Sequence, residues 1–342
     1  MSSLHYPWPE TPPPGTTLEV APGVHWLSMP LPFQLDHINL WLIEEADDAG
    51  WTIVDTGIGD ERTRRLWDEI LKRVPGVSRV ILTHYHPDHA GNAAWLCERF
   101  GAPLWTTQGE YLTAHAVRAS AAGYTSEAVI EVFRRNGLGE ERASRMSAMR
   151  GNSRYTQLVP AFPNSYRRVL EGDVVRIGGR DWQAIIGHGH APEHLSLHCP
   201  GLNVVIAGDM LLSTISTNVS VWSIDPEGDP LRLFLQSLES YRALPPDVLV
   251  LPSHGKPFRG AHARVEQLER HHQARLAELK DAMKGTARSA GDLLGVLFRR
   301  PLDPHQTFFA MGEAIAHLHY LYYSGQARRA AGVDGVMRYA TE

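Results

Sequence analysis

Along this chain the hydrophobic positions follow two different spacings, and the changes between them mark the elements. Residues 18–20 and 24–29 are short apolar runs split by Pro22-Gly23, and both read as strands. Residues 38–43 and 51–57 read as the next two, joined as a hairpin by the acidic, polar turn 44–50. Helical spacing then appears: behind Asp60 as N-cap, Leu66, Ile70, Leu71 and Val74 share one face. A buried strand over 77–82 follows, then a helix over 91–100 and a short strand over 103–107, which is an α/β arrangement. Residues 108–165 differ. Leu112, Ala116, Val129, Val132, Phe133, Met146 and Met149 are scattered through an Ala/Arg/Glu-rich background, which predicts two or three helices. Strands return at 168–170, 174–177, 182–186, 204–208 and 248–251. A charged helix over 262–284 buries Val265, Leu268, Leu276 and Leu279 on one side. Two or three short helices are expected over 289–325, and 334–340 predicts a small β-wing.

The polar residues that matter sit where apolar strands stop. The run Thr83-His84-Tyr85-His86-Pro87-Asp88-His89 places three imidazoles and a carboxylate within six positions. Just past a strand end the backbone is extended, so His84 and His86 point the same way. Pro87 is expected to forbid regular structure and turn the chain, bringing Asp88 and His89 towards the same point. Such a cluster suits zinc or another borderline divalent metal far better than it suits a solvated polar loop. Other strand ends repeat the device: Asp55 before Thr56-Gly57, His188 and His190 in Gly187-His188-Gly189-His190, Asp209 after Gly208, and His254 in Ser253-His254-Gly255-Lys256-Pro257. Asp209 could serve as a turn aspartate, but a carboxylate at a further strand end is also a natural bridge between two metals.

The run 83–92, Thr-His-Tyr-His-Pro-Asp-His-Ala-Gly-Asn, resembles the signature of the metallo-β-lactamase-fold superfamily, a large set of mostly hydrolytic metalloenzymes. The resemblance covers residues 18–260 by spaced motifs. It implies an α/β fold, an αβ/βα sandwich of two mixed sheets with outer helices and the metals at one edge. Residues 189–194 align with the family's G-H-T-P-G-H element, which selects His190 as the ligand over His188. Ala191 and Glu193 depart from that element. The resemblance implies that His84, His86 and His190 hold one divalent ion and Asp88, His89 and His254 the other. Asp209 would lie between two ions about 3.5–4 Å apart. Zinc is the first expectation, with manganese or iron as alternatives. Asp55 matches the aspartate that buttresses the metal-binding loop. Residues 1–261 form the expected catalytic domain, with the insertion at 108–165 as a substrate cap. Residues 262–342 form a helical, winged-helix-like C-terminal domain, as in the lactamase-β-2-like branch.

The implied chemistry is hydrolysis: a metal-bridging hydroxide attacks the carbonyl of a small ester, thioester or lactone, and Asp88 orients it and relays a proton. The alternative is an endoribonuclease acting on single-stranded RNA, since some relatives with this tail cut RNA. Composition bears on that choice. The 342 residues are 43% hydrophobic and 21% charged, with a formal net charge of −5, so no global basic field recommends nucleic acid. A small-molecule acyl substrate is the expected partner; nucleic acid is disfavoured, though a local basic groove is left open. Cys97 and Cys199 lie in no C-x-x-C motif and are expected to be buried free thiols in a reducing cytosol. No signal peptide and no membrane span is legible, so the expected location is cytoplasmic. Oligomeric state is not legible.

Overall fold

Residues 18–54 fold as an antiparallel meander: β1 Leu18–Ala21, β2 Val24–Pro30, β3 His37–Glu44 and β4 Trp51–Val54. The computed structural model describes residues 4–33, 35–46, 49–149 and 154–342. Next come α1 Glu61–Leu71, β5 Val77–Ile81, the single turn α2 Pro87–Ala90, α3 Ala93–Phe100 and β6 Leu104–Thr106. Four helices follow: α4 Gln108–Arg118, α5 Ser126–Arg135, α6 Glu140–Met149 and α7 Arg154–Leu158. Then come β7 Arg167–Arg168, β8 Val174–Ile177, β9 Arg180–Gly187, β10 His194–Cys199, β11 Val204–Gly208, α8 Pro230–Arg242, β12 Leu249–Pro252 and β13 Phe258–Arg259. The chain ends with α9 Ala261–Ala282, α10 Ala290–Leu297, α11 Pro304–Tyr323, β14 Arg328–Ala331 and β15 Met337–Ala340.

Strands β1 to β7 form one sheet in sequence order, antiparallel as far as β4 and parallel from β4 to β7. Strands β8 to β13 form the second, in which only the β11–β12 pair is parallel. Both are mixed sheets, as the superfamily resemblance implies. The first sheet is apolar on both faces. Trp26, Trp41, Ile43, Val54 and Ile81 pack against Trp182, Leu195, Leu197, Ile206 and Leu251 of the second sheet. Their neighbours Leu27, Leu40, Leu42, Ile53 and Val80 face Trp67, Ile70 and Leu96 of α1 and α3. Period-two alternation therefore fills two cores at once, which is why these strands read as nearly continuous apolar runs.

The chain divides into two compact units. The first comprises residues 1–118, 155–217 and 237–265; the second comprises 119–154, 218–236 and 266–342. Both sheets lie in the first. In the second, α10 and α11 start with capping boxes at Ser289/Asp292 and Asp303/Gln306, Phe133 meets Phe308 edge-on, and β14 pairs with β15. Among the described residues, no helix is long and apolar enough to cross a membrane.

Several local expectations need correcting. Pro87 does not exclude helix; it occupies the first position of α2, where its missing N–H has no intrahelical role. Among the described residues, the 108–165 segment holds four helices rather than two or three. Residues 194–199 form a further strand that the sequence pattern did not mark. The expected wing is one strand of a hairpin whose other strand begins at Arg328. Cys199 is buried but Cys97 is only half-buried; neither is paired.

Asn39 ties the two sheets together near their edge. Its side-chain oxygen accepts from Trp26 Nε1 at 2.8 Å, and its amide donates to the carbonyls of Pro252 and Gly255 at 2.8 and 2.7 Å. Asn39 is fully buried. Asn39→Leu strands one N–H and two carbonyls, so we expect a loss of about 3 kcal/mol or more. Urea unfolding checks this; a loss under about 1 kcal/mol contradicts the role.

Candidate metal centre

Three parallel strands, β4, β5 and β6, end on the same side, and the first histidine run leaves the middle one. The sheet ladder lapses after Leu82, whose N–H still reaches the Trp105 carbonyl. Beyond it Asp55 takes over. Its carboxylate accepts from the Thr83 N–H and Thr83 Oγ1, both at 2.8 Å, and lies 2.8 Å from His89 Nδ1. Asp55 itself has φ +61°, a left-handed conformation that short polar side chains tolerate. Thr83 Oγ1 gives its proton to Asp55, so it accepts from His84 Nδ1 at 3.0 Å. That leaves His84 Nε2 as a lone-pair donor facing outward. His89 is likewise tied through Nδ1, and His254 Nδ1 is bonded to the His37 carbonyl at 3.0 Å, so each presents Nε2.

The second sheet supplies the other side. His190 leaves the loop after β9, Asp209 follows β11 and His254 follows β12. Gly208 has φ +53°, and a Cβ there would stand 2.3 Å from His194 Nε2. Only glycine lets the backbone come so close, and the Asp209 N–H then bonds His194 Nε2 at 3.0 Å. His194 thus holds Asp209 from behind.

All seven residues expected at the site converge. His84 Nε2 lies 2.9 Å from His86 Nδ1 and 3.2 Å from His190 Nε2. Asp209 Oδ2 is 3.4 Å from His190 Nε2, while its Oδ1 is 3.6 Å from Nε2 of both His89 and His254. Asp88 Oδ2 is 3.4 Å from His254 Nε2 and 3.7 Å from His89 Nε2. Among the described residues three sets can hold an ion: His84/His86/His190, Asp88/His89/His254 and His84/His89/Asp209. His188 stays outside them, with Nδ1 bonded to the Pro192 carbonyl at 2.7 Å.

These residues fit divalent cations on their own evidence. His89 Nε2 and Asp209 Oδ1 are buried and have no hydrogen-bond partner among the described residues, a costly arrangement unless something else meets them. Nitrogens around a tetrahedral zinc stand roughly 3.3 Å apart, close to the separations in the His84 set. Burial and neighbouring imidazoles keep His84 uncharged and pull His86 down to about 3. Burial opposes charge on Asp88, but His89 and His254 overcome it and hold Asp88 at about 2. His84 and His86 are therefore already deprotonated, and Asp88 is already anionic.

A model described as the metallo-beta-lactamase superfamily matches residues 34–254. The chain belongs to that superfamily. A second model, the metallo-beta-lactamase-like C-terminal domain, matches residues 276–342. A crystal structure of a beta-lactamase domain protein from Burkholderia ambifaria is 48% identical, covers 99% of this chain and 98% of its own, and superposes with a TM-score of 0.91. The probable metallo-hydrolase YqjP of Bacillus subtilis is 23% identical over 308 residues, 86% of this chain and 91% of that protein. A hydroxyacylglutathione hydrolase from Idiomarina loihiensis is 25% identical over 219 residues, 64% of this chain and 62% of that protein. Membership makes this chain a metallo-hydrolase.

Sequence reading missed Glu110 and Tyr155, which hold the histidine loop from outside. Glu110 accepts the Tyr85 N–H, and Tyr155 donates its hydroxyl to the Tyr85 carbonyl. Glu110 is in the first turn of α4, where an acidic residue ordinarily reads as a solvated helix start.

The pH dependence of the metal-free protein follows from the same groups. Burial lowers His84, His86 and His194, so their stabilising share is complete above about 6.5 and fades as pH falls, towards about 3 for His86. His89 and His254 are raised, because nearby carboxylates outweigh burial. Their share is complete below about 6.5 and fades as pH rises, through about 10 for His89. Urea midpoints with chelator at about pH 4.5, 6.5 and 9 should peak at the middle value. A midpoint that keeps rising to the highest pH contradicts the assignment.

Proposed function

We propose that this chain is a binuclear metal-dependent hydrolase of small acyl substrates: esters, thioesters or lactones. The observation that carries the reading is Asp209, whose two carboxylate oxygens face different histidine sets. His84, His86 and His190 would hold one ion, Asp88, His89 and His254 the other, with Asp209 shared. Zinc suits the imidazole-rich set best; manganese or iron fits the same nitrogens and oxygens. When bound, two such ions supply a water acidified to near neutrality and a Lewis acid for the scissile carbonyl.

The protein's own contribution is placement. Asp88 is the most open of the site carboxylates, its side chain 19% exposed against 10% for Asp209. It is therefore positioned to orient the attacking water through a hydrogen bond and to hold the proton it releases until the leaving group takes it. Asp209, held through its N–H by His194 and through its carbonyl by the Thr217 hydroxyl, keeps the two sets in register. The acyl class is supported by the Idiomarina relative, since an acylglutathione is a thioester. The net charge of −5 disfavours a polyanionic substrate.

The test is a screen of metal-replete protein against esters, thioesters, lactones and single-stranded RNA, with elemental analysis. Two ions per chain are expected, one of them lost in His254→Ala. Asp209→Ala should cut acyl turnover by about 10³-fold or more. Asp88→Asn should lower kcat by about 10²–10⁴-fold with a smaller rise in KM. KM for the acyl substrate should be nearly indifferent to salt. RNA cleavage with a KM that climbs steeply with salt, lost in Asp209→Ala, would replace the acyl reading with a nuclease.

A further inference from the structure

Glu110 is a buried carboxylate, 1% exposed, outside the ligand sets, and both its oxygens are used. Oε2 accepts the Tyr85 N–H at 2.9 Å and Oε1 accepts the Glu193 N–H at 2.7 Å. Tyr85 stands between His84 and His86, and Glu193 lies three residues after His190. One carboxylate therefore spans the two loops that deliver these three histidines. The partner segments answer it. Thr107 Oγ1 donates to the Glu193 carbonyl at 2.7 Å, and the Gly109 N–H donates to Glu193 Oε2 at 2.8 Å. A Cβ on Gly109 would stand 3.0–3.1 Å from Glu193 and Pro192, so the segments meet at a tight contact that glycine permits. At the other backbone group of Tyr85, Tyr155 donates its hydroxyl to the Tyr85 carbonyl at 2.6 Å.

We infer that Glu110 is a positioning residue: its carboxylate clasps the 84–86 loop to the 190–193 loop and sets the distance between His84, His86 and His190. The inference rests on reading those histidines as ligands. The physical case is that two N–H groups past their strand ends need two acceptors fixed at once, and a carboxylate is the side chain with two oxygens and no donor. Burial raises Glu110 to about 7 against the pull of those two N–H groups, so its environment is as dry as the geometry implies. Glutamine is the same shape but offers one acceptor and points an NH₂ at the other N–H. Alanine offers none.

The experiment compares the full chain with Glu110→Gln, Glu110→Ala and Tyr155→Phe. In metal-free protein, hydrogen exchange of the peptides containing Tyr85 and Glu193 should accelerate in both Glu110 variants. In Tyr155→Phe the Tyr85 peptide alone should respond. In zinc-loaded protein, chelator competition should show one ion weakened by about 10–100-fold in Glu110→Ala and by less in Glu110→Gln, the other ion holding as in wild type. Cobalt-substituted protein should show an altered visible spectrum for the weakened site alone. Unchanged exchange overturns the clasp. Faster exchange with both ions held as tightly as in wild type overturns the positioning role. If Glu110→Ala does not fold, Glu110→Gln decides by the same readings. Wild-type protein that binds no zinc overturns the ligand reading itself, a result visible before any variant is made.

Discussion

The structure depends on how an extended chain is held after its sheet has stopped. β5 is paired on both sides, by β4 and β6, but the residues that carry the chemistry come just after it. Their N–H groups have no ladder partner, and buried unpaired N–H groups cost about 1–3 kcal/mol each. Carboxylates from the two neighbouring strand ends resolve this. Asp55, after β4, takes the Thr83 N–H; Glu110, after β6, takes the Tyr85 N–H. Three parallel strands thus continue as three segments fastened largely by side chains, with the Thr56 N–H on the His89 carbonyl as a backbone bond between two of them.

That fastening is needed because the cluster works against itself. His84, His86, His89, His190 and His254 crowd together with two carboxylates, all largely removed from water, where charge is costly. The two halves settle differently. His84 and His86 stay neutral, whereas His89 and His254 are drawn towards the charged form by Asp55, Asp88 and Asp209. A cation on each side would relieve both conditions, since neutral imidazoles would gain an acceptor for their lone pairs and carboxylates a counter-charge. Without rigid neighbours the groups would part and hydrate, so the scaffold has to be stiff where the site is least comfortable. Asn39, bonded to the carbonyls flanking His254, does for the second sheet what Asp55 does for the first.

Much of this was legible because the signals are local. Apolar runs marked most strands of both sheets, though not β10 or β13, and the spacing of His84, His86, Asp88 and His89 lies within one short run. Asp209 and His254 were legible as polar residues closing apolar strands. What sequence hid depends on contacts between distant segments. Glu110 is 25 positions from Tyr85 and 83 from Glu193. A glutamate in a first helical turn carries no mark of whether it faces water or a buried N–H. Tyr155, 70 positions from Tyr85, is equally silent. The Pro87 error has a different origin. Proline was taken as a breaker, although its fixed φ also suits the first residue of a helix. His194 carries no mark of its task in the sequence, because only the close approach of Gly208 shows what it supports.

The departures from the family's second histidine element then acquire a reason. Glu193 stands where that element carries glycine, and a bulky charged residue there looks like a loss of freedom for the His190 loop. In the fold, its carboxylate takes the Gly109 N–H, its N–H meets Glu110 and its carbonyl meets Thr107. Freedom given up at 193 is matched by freedom kept at 109, where the small residue lets the two segments touch. The insertion, expected from sequence to be a cap, begins and ends with these supports. Thr107, Gly109 and Glu110 lie where it starts and Tyr155 near where it closes, all within the unit that carries both sheets. A segment whose ends are bonded to the histidine loops cannot be shortened at those ends without moving the histidines, whatever the helices between them do.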